Sequence, residues 1–272
     1  RPAMIPELEA QAARLRAAIL PYGSVLVAYS GGVDSALVLK AAVDALGPRA
    51  LGVIGVSPSL SPEDLDAARS CARAMGAALR ELRTAEFEDE RYAANAPDRC
   101  YFCKSELYGR LAALAAAEGF AVVADGFHLD DLGDVRPGQR AGGERGVRSP
   151  LKDAGFRKAD VRALSRALGI PAWDRPAAPC LSSRVAYGIR VTPELARTVA
   201  EAERRVRGIV AGLTALRVRH LGAEARVEVE PERLNEAVAA EDRLRAALGD
   251  LGYARVTVAG YRRGALLPQT VS

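Results

Sequence analysis

Short apolar runs separated by amphipathic stretches make up the first two thirds of the chain. The runs at residues 24–28, 50–56, 78–83 and 120–126 are rich in Val, Leu and Ala, which predicts four buried strands. Apolar residues at helical spacing lie between them, and Ser61 is a good N-cap for one of these helices. Alternating strands and helices predict an α/β fold with a doubly wound parallel sheet, which binds ligands at the carboxyl ends of its strands.

The pattern changes near residue 190, where strands and helices no longer alternate regularly. We therefore expect two domains, an α/β domain at residues 1–188 and a smaller α+β domain at residues 189–272, which would serve substrate binding or oligomerisation. The elements predicted for the second domain are a helix at 192–212, strands at 215–220 and 225–230, a helix at 231–248 and a strand at 253–259.

Residues 127–150 are polar and rich in glycine, with little periodicity. A loop of this length inside a compact domain is usually functional. We interpret it as a candidate lid or substrate loop.

Composition narrows the class of protein. No apolar run approaches the roughly 20 residues that span a bilayer, so we expect a cytoplasmic enzyme with no membrane partner. The net charge is +4, but the basic residues are spread along the chain and only 5% of residues are aromatic. This argues against nucleic acid as a partner and favours an acidic small molecule.

The loop after the first predicted strand is the strongest local signal. Gly31 and Gly32 allow a tight turn, while Ser30 and Ser35 add hydroxyls where a helix begins. Backbone N–H groups and the helix dipole favour phosphate at such a position. The lysine of a Walker-type loop is missing. An ordinary strand-to-helix turn is the alternative without a ligand.

Two cysteines, Cys100 and Cys103, form a Cys-x-x-Cys pair just before a predicted helix, with Arg99 and Lys104 beside them. This setting favours thiolates, so the pair is either a redox dithiol or part of a metal site.

A third cysteine, Cys180, lies in a segment interrupted by prolines, where a reactive or ligating role is favoured. A zinc site would need the three cysteines together with His128 or His220, the only histidines in the chain. Cys71, in a helix among alanines, is interpreted as a core residue.

Further motifs join the glycine loop and the cysteines, and together they span nearly the whole chain. The motifs are Ser30-Gly31-Gly32-Val33-Asp34-Ser35, Arg99-Cys100-Tyr101-x-Cys103-Lys104, Asp125-Gly126-x-x-x-Asp130-Asp131-x-x-Asp134-x-Arg136-Pro137-Gly138, Ser149-Pro150-Leu151, Lys158-x-x-Val161-Arg162, Trp173-Asp174-x-Pro176-x-x-x-Cys180-Leu181-x-Ser183-Arg184, Arg217-Val218-Arg219-His220 and Gly260-Tyr261-Arg262. Taken together, they resemble the LarE family of ATP-dependent sulfur transferases, which belong to the PP-loop ATP pyrophosphatases with their adenine nucleotide alpha hydrolase-like fold.

The resemblance implies sulfur insertion into pyridinium biscarboxylic acid mononucleotide during synthesis of the nickel-pincer nucleotide, the cofactor of lactate racemase and related enzymes. The PP-loop would bind ATP, Asp34 would hold Mg²⁺, and a substrate carboxylate would be adenylated with release of pyrophosphate. Lys104 and Cys180 would act with Asp34 in catalysis. The resemblance also implies a homo-oligomer, a trimer or hexamer.

The family divides over the source of the sulfur. In one form the cysteine that matches Cys180 gives up its own sulfur and becomes dehydroalanine. In the other, three cysteines bind a 4Fe–4S cluster, and Cys100, Cys103 and Cys180 match that form, which is our hypothesis here.

The resemblance also implies a set of side chains that orient the substrate or its phosphate. Arg219 and Arg226 lie close in sequence to two members of this set, Arg217 and Glu228, and compete with them for these roles. The alternative interpretation is that these charged residues form a solvated strand face. Two positions depart from the family's pattern, His128 in place of Asn and Pro179 in place of a small residue. The implied set is Ser183, Arg184, Arg217 and Glu228.

Two other functions compete with this hypothesis. A tRNA-thiolating enzyme would also join a PP-loop to cysteines, but it predicts a concentrated basic surface or an added RNA-binding module, and neither is visible in the sequence. A protein that senses nucleotide or carries a cluster without turnover would need Asp34, Lys104 and Cys180 only for binding.

Overall fold

The apolar run that follows Ser24 forms a strand in which every residue is buried. Strands covered on both faces carry no polar side, which explains the unbroken run of apolar residues. The computed structural model of the protein describes residues 5–133, 137–176 and 179–261. Within those residues the elements follow in the order α1 Pro6–Ile19, β1 Val25–Ala28, α2 Val33–Leu46, β2 Ala50–Val56, α3 Pro62–Ala74, β3 Leu79–Arg83, α4 Glu90–Ala93, α5 Arg99–Glu118, β4 Val122–Ala124, α6 Pro137–Glu144, α7 Pro150–Asp153, α8 Lys158–Ala167, α9 Pro193–Ile209, β5 Leu216–His220, β6 Glu224–Val229, α10 Leu234–Ala239, α11 Glu241–Gly249 and β7 Arg255–Gly260.

Four parallel strands, in the order β3-β2-β1-β4, form the sheet of a first compact unit that draws on residues 1–57, 62–85 and 100–178. Successive side chains of a strand point to opposite faces. A Cβ atom placed on Gly52 would lie 2.8 Å from Leu39 of α2, whereas the neighbouring Val53 packs in a cluster with Leu111 of α5. Helices therefore cover both faces, and the predicted doubly wound α/β fold is confirmed.

The strand order reverses at β1. The chain passes from β1 to β2 and β3 on one side of the sheet, and it later places β4 on the other side of β1. Ligands of open α/β sheets bind at such a switch point, outside the carboxyl ends of the strands. The loops after β1 and β4 are therefore the first places to look for a site.

A second compact unit contains residues 58–61, 86–99 and the chain from residue 179. Its sheet has the order β5-β6-β7, with β5 antiparallel and β7 parallel to β6. Apolar residues of α9 and α11, including Val206 and Leu244, pack with Val218 and Val227 of this sheet in one buried cluster. The domain boundary after residue 188 is not tested by this grouping and stays a prediction.

The segment at 127–150 is more regular than the sequence predicts, because it contains α6. Three glycines, Gly138, Gly142 and Gly143, lower its helix propensity and hide it from a propensity argument. Two of them have a packing reason. A Cβ atom on Gly138 would lie 2.9 Å from Cγ of Lys104, and one on Gly142 would lie 3.4 Å from the ring of Tyr108.

Two further expectations about helices are wrong. The helix predicted at 231–248 is divided into a 3₁₀ turn, Pro231–Arg233, followed by α10 and α11. Acidic residues open α11, where they favour a new helix N-terminus. The Cys-x-x-Cys pair lies in the first turn of α5 and not before the helix.

Among the helices of the described residues, none combines the length and hydrophobicity that crossing a lipid bilayer would require.

Candidate active site

The loop between β1 and α2 is held in its turn by its own two serines. The hydroxyl of Ser35 accepts a hydrogen bond from the N–H of Ser30 at 3.1 Å and donates one to the carbonyl of Gly32 at 3.1 Å. Gly31 has a φ of 77°, and a Cβ atom there would lie 2.8 Å from Cβ of Ala68 in α3. The glycine is thus required both by the backbone conformation and by the close approach of α3.

Helix α2 begins directly after this loop with an open N-terminus. Its N-cap residue is Gly32, and no side chain caps the first turn. Unpaired N–H groups and the helix dipole favour an anion here, as the sequence predicts. Asp34 lies in the same turn and places a carboxylate beside this anion site.

A lysine from a distant part of the chain reaches Asp34. The Nζ atom of Lys158, the first residue of α8, lies 2.6 Å from Oδ1 and 2.7 Å from Oδ2 of Asp34. The loop has no lysine of its own, so Lys158 supplies an ammonium beside it. Sequence reasoning placed Lys158 in a motif without a role, although all but four of the 38 basic residues are arginine and a retained lysine was a usable signal.

The loop after β4 closes on the same place. A Cβ atom on Gly126 would lie 2.7 Å from the backbone N of Ser35. His128 is buried, and its Nε2 atom lies 3.7 Å from Oδ1 of Asp34 and 3.5 Å from Oδ2 of Asp131. The imidazole therefore stands between two carboxylates, one of which belongs to the PP-loop.

Asp125, at the end of β4, organises three neighbouring segments. Its carboxylate accepts hydrogen bonds from the hydroxyl of Ser149 at 2.8 Å, from the N–H of Phe127 at 3.1 Å and from the hydroxyl of Tyr108 at 3.2 Å. These bonds fix the loop after β4 to α5 and to the start of α7.

The first turn of α5 carries Cys100, Cys103 and Lys104. Cys100 is exposed, and the other two are half-buried. The pKa of Lys104 is raised, chiefly by the nearby Tyr108 and further by Cys103, against the opposing effect of burial. Burial also raises the pKa of Tyr108 to about 12. Lys104 is therefore a firmly charged ammonium beside two thiols.

The sequence-predicted cluster ligands are divided between the two units. Cys100 and Cys103 belong to the first and Cys180 to the second. None of the chain's four cysteines forms a disulfide. Within residues 5–133, 137–176 and 179–261, no group of three or more His, Cys, Asp or Glu side chains is placed to hold a metal ion. Three thiols are a donor set that suits iron, and their joint ligation of a cluster stays a prediction.

Cys180 lies in the second unit, on a loop held by Arg184. The Nη1 atom of Arg184 donates to the carbonyls of Pro179 and of Cys180, the latter at 3.0 Å. Its Nε atom pairs with Oε1 of Glu203 at 2.9 Å. Arg184 is 3% exposed, so in this structure it supports the cysteine loop. Its predicted contact with substrate stays a prediction.

Two arginines of β5 lie near the expected substrate set. Arg219 pairs with Glu228 through Nε and Oε2 at 2.9 Å and donates to the carbonyl of Ser183 at 3.1 Å. Burial lowers the pKa of Arg217 to about 10, with a further contribution from the positive charge of Arg184. Glu228 thus pairs with Arg219, while Arg217 is buried near the positive charges of Arg184 and Arg219.

Sequence reasoning missed Glu203, which joins this group from α9. Its carboxylate binds Arg184 and also accepts the N–H of Val218 at 3.1 Å. A usable signal was its position on the buried face of α9, next to Ala202 and near Val206. Three residues of the resembling motifs, Asp134, Arg136 and Arg262, lie outside the described residues.

Comparison with known proteins identifies the family. No protein-family model matches the chain. It is 46% identical over 231 residues to an uncharacterized protein of Synechocystis, covering 85% of both chains. It is 28% identical over 234 residues to an uncharacterized protein of Methanocaldococcus jannaschii, covering 86% of this chain and 88% of the relative. A third relative, the pyridinium-3,5-bisthiocarboxylic acid mononucleotide synthase of Lactiplantibacillus plantarum, is 37% identical over 260 residues, or 94% of both chains.

That coverage, together with a PP-loop at the switch point of a parallel sheet, means that the chain belongs to the LarE family of pyridinium-3,5-bisthiocarboxylic acid mononucleotide synthases.

Proposed function

We propose that the protein is an ATP-dependent sulfur transferase that converts a carboxylate of pyridinium biscarboxylic acid mononucleotide into a thiocarboxylate, a step in nickel-pincer nucleotide synthesis. The observation that carries the proposal is the open N-terminus of α2 with Asp34 in its first turn and Lys158 beside it. This arrangement suits the phosphates of ATP. The name of the Lactiplantibacillus plantarum relative supports the class of product.

Activation is the step that the PP-loop serves. A carboxylate is a poor electrophile, and its oxygen must attack the α-phosphorus of ATP so that pyrophosphate leaves and an acyl-adenylate forms. The loop of Ser30, Gly31, Gly32 and Ser35 would orient the phosphates through its N–H and O–H groups. Asp34 would hold Mg²⁺, which when bound neutralises charge on the leaving pyrophosphate.

Sulfur delivery is assigned to Cys180, with Lys104 supplying positive charge near the reacting carboxylate. In our first hypothesis Cys100, Cys103 and Cys180 hold a 4Fe–4S cluster, which would carry the transferable sulfide. The Cys-x-x-Cys pair on one turn of α5, next to the charged Lys104, supports this assignment. In the alternative, the Cys180 thiolate attacks the acyl-adenylate and AMP leaves. Removal of the Cα proton of Cys180 then breaks its Cβ–S bond, which leaves a thiocarboxylate on the substrate and dehydroalanine in the chain.

The anionic end of the substrate is assigned to the buried charges of the second unit. Three arginines, Arg184, Arg217 and Arg219, face two glutamates, Glu203 and Glu228. The excess of positive charge favours a phosphate. The carbonyl of Ser183 accepts from Arg219 and its hydroxyl accepts from Arg184 at 3.3 Å, so Ser183 would add a hydroxyl to this site.

The reaction is tested by supplying ATP and Mg²⁺ with the pyridinium mononucleotide, with tRNA or with neither. We expect pyrophosphate release and a thiocarboxylate only with the pyridinium substrate. Release with tRNA alone would instead favour the RNA-thiolating enzyme, and tight ATP binding without release would favour the nucleotide sensor.

The sulfur source is tested by anaerobic reconstitution with iron and sulfide, followed by visible and EPR spectra. A four-iron signal lost in Cys100→Ala, Cys103→Ala and Cys180→Ala supports the cluster. A wild-type protein without iron, whose Cys180 peptide loses one H₂S on turnover, identifies Cys180 as a consumed donor.

Location in the cytoplasm and assembly into trimers or hexamers are part of the proposal. Analytical ultracentrifugation of the purified protein measures the number of subunits directly.

A further inference from the structure

Hydrogen bonds within the second unit hold the main chain at three consecutive residues after Cys180. The N–H of Leu181 donates to the carbonyl of Ser59 at 2.8 Å. The carbonyl of Ser182 accepts from Arg99 at 2.9 Å, and that of Ser183 accepts from Arg219 at 3.1 Å. A loop held at consecutive residues has little freedom to move.

Asn95 anchors the far end of the same loop. Its Nδ2 atom donates to the carbonyls of Ala186 and Ile189, both at 2.9 Å, while its Oδ1 atom accepts from Arg99. The guanidinium on one side and the carbonyls on the other fix the orientation of the amide. Asn95 is fully buried, and no other non-glycine residue of the described chain has a positive φ; its value is 56°. Asparagine adopts this left-handed conformation more readily than most non-glycine residues do, which suits it to this position.

Arg99 links this anchor to the middle of the loop. The same Nη1 atom donates to Oδ1 of Asn95 and to the carbonyl of Ser182. Ser182 is 1% exposed, and its hydroxyl lies 2.7 Å from the hydroxyl of Tyr92. Asn95, Arg99 and Tyr92 all come from residues 86–99, so one short stretch of chain supports the loop.

We propose that Asn95 and Arg99 are positioning residues that hold the Cys180 loop in the conformation from which sulfur is delivered. The proposal rests on the proposed function, because it assumes that Cys180 takes part in sulfur delivery. It assigns no chemistry to Asn95 or Arg99 themselves. Adenylation, which uses the PP-loop of the first unit, does not depend on them.

Two pairs of variants separate positioning from folding. Asn95→Gly keeps the left-handed backbone and removes the amide, whereas Asn95→Asp keeps the shape but cannot donate to the two carbonyls. Arg99→Met removes the guanidinium at similar length, and Arg99→Lys keeps one charged donor. Arg190→Met is the matched control, because Arg190 is an exposed arginine of the same unit that pairs with Glu90 at 2.8 Å.

The first readout is the rate at which iodoacetamide alkylates each cysteine of the full-length protein, measured peptide by peptide. Losing a buried hydrogen bond to a charged group shifts an open-to-closed equilibrium by about tenfold. We expect about tenfold faster alkylation of Cys180 in Asn95→Gly and Arg99→Met. The rate at Cys71 should not change in any variant, and the rates at Cys100 and Cys103 should not change in Asn95→Gly, which keeps the charge of Arg99 beside them. The Cys180 rate of Arg99→Lys should lie between those of wild type and Arg99→Met.

The second readout compares pyrophosphate release with thiocarboxylate formation. We expect release to stay within about twofold of wild type while the thiocarboxylate falls about tenfold. An unchanged Cys180 alkylation rate in both Asn95→Gly and Arg99→Met would overturn the proposal. So would a parallel loss of both products that follows the loss of stability. If wild type forms no thiocarboxylate, the proposed function fails, and the alkylation rates still decide whether the loop is held.

Discussion

Lys158 binds both carboxylate oxygens of Asp34 across 124 residues of sequence. The ammonium therefore contacts the same carboxylate that we propose as a ligand of Mg²⁺. Both side chains remain partly exposed, at 37% for Lys158 and 28% for Asp34, so the pair is accessible to a nucleotide.

The first prediction concerns this lysine. Replacing it in Lys158→Met removes a charge next to the developing pyrophosphate, and we expect pyrophosphate release to fall about 100-fold. Lys158→Arg should recover part of the rate because it keeps the charge but not the compact ammonium. Lys152→Met, at an exposed lysine of α7, is the control and should leave the rate unchanged. Equal rates for Lys158→Met and Lys152→Met would show that the pair is only structural.

The second prediction concerns the close approach of α3 to the PP-loop. Gly31→Ala adds both a left-handed alanine and a Cβ atom 2.8 Å from Cβ of Ala68. Gly146→Ala adds only the first, because Gly146 has a φ of 68° and open space around it. We expect Gly146→Ala to cost about 1 kcal/mol of unfolding free energy and Gly31→Ala about 1–3 kcal/mol more.

Urea unfolding of the two variants measures the difference. Adding Ala68→Gly to Gly31→Ala should remove the clash and recover the unfolding free energy that it costs, after allowance for the cost of the new glycine in α3. If the change in unfolding free energy of the double variant equals the sum of the changes in the two single variants, the clash is absent.

The third prediction concerns the ion pair of Arg219 and Glu228, whose side chains are 8% and 2% exposed. Either Arg219→Met or Glu228→Gln leaves a buried group without its partner, and each should cost about 3–5 kcal/mol of unfolding free energy. The double variant Arg219→Met with Glu228→Gln should cost less than the two single changes together. Arg245→Met breaks an exposed pair with Glu241 and should change little. Strict additivity in the buried pair would contradict this account.

The fourth prediction is a pH dependence that arises from His220. Burial lowers its pKa below the ordinary value of 6.5, and its Nδ1 atom lies 3.1 Å from the hydroxyl of Tyr253. The unfolded chain therefore binds a proton at a higher pH than the folded protein does. Stability from this group is complete above pH 6.5 and is lost as the pH falls through the lowered folded pKa.

Unfolding free energies of wild type and His220→Gln between pH 5 and pH 8 measure this effect. The difference between the two proteins should shrink as the pH falls. A difference that is constant over the range would mean that the pKa of His220 is equal in the folded and unfolded chains.

The predicted PP-loop could be found from sequence because all the elements that form it are adjacent in the chain. Strand, glycine turn and helix start are consecutive, and the hydrogen bonds of Ser30 and Ser35 close within five residues. Lys158 could not be placed in the same way, because its partner is decided by how α8 packs, and no local pattern encodes that.

The charged group on β5 and β6 shows a second limit. Arg217 and Glu228 lie directly opposite each other in the antiparallel register, which is why a pair between them is the natural expectation. The ion pair instead runs diagonally, from Glu228 to Arg219, two residues along the same face. The strand register determines which side chains share a face of the sheet, and side-chain packing determines which of them form the ion pair.

Helix α6 shows a third limit. Its glycines reduce helix propensity, yet two of them allow the helix to lie close to Lys104 and Tyr108. A glycine-rich stretch can therefore be a tightly packed helix, and only its neighbours reveal this.

The discontinuous make-up of the second unit bears on the order in which the protein can fold. Residues 86–99, which support the Cys180 loop, are synthesised about 80 residues before the loop itself and are separated from it by residues 100–178 of the first unit. Contacts at such separation form late and slowly, because they require closure of a long loop. A fragment that begins at residue 179 would contain Cys180 but lack both Asn95 and Arg99, so the cysteine loop cannot be studied in an excised second unit.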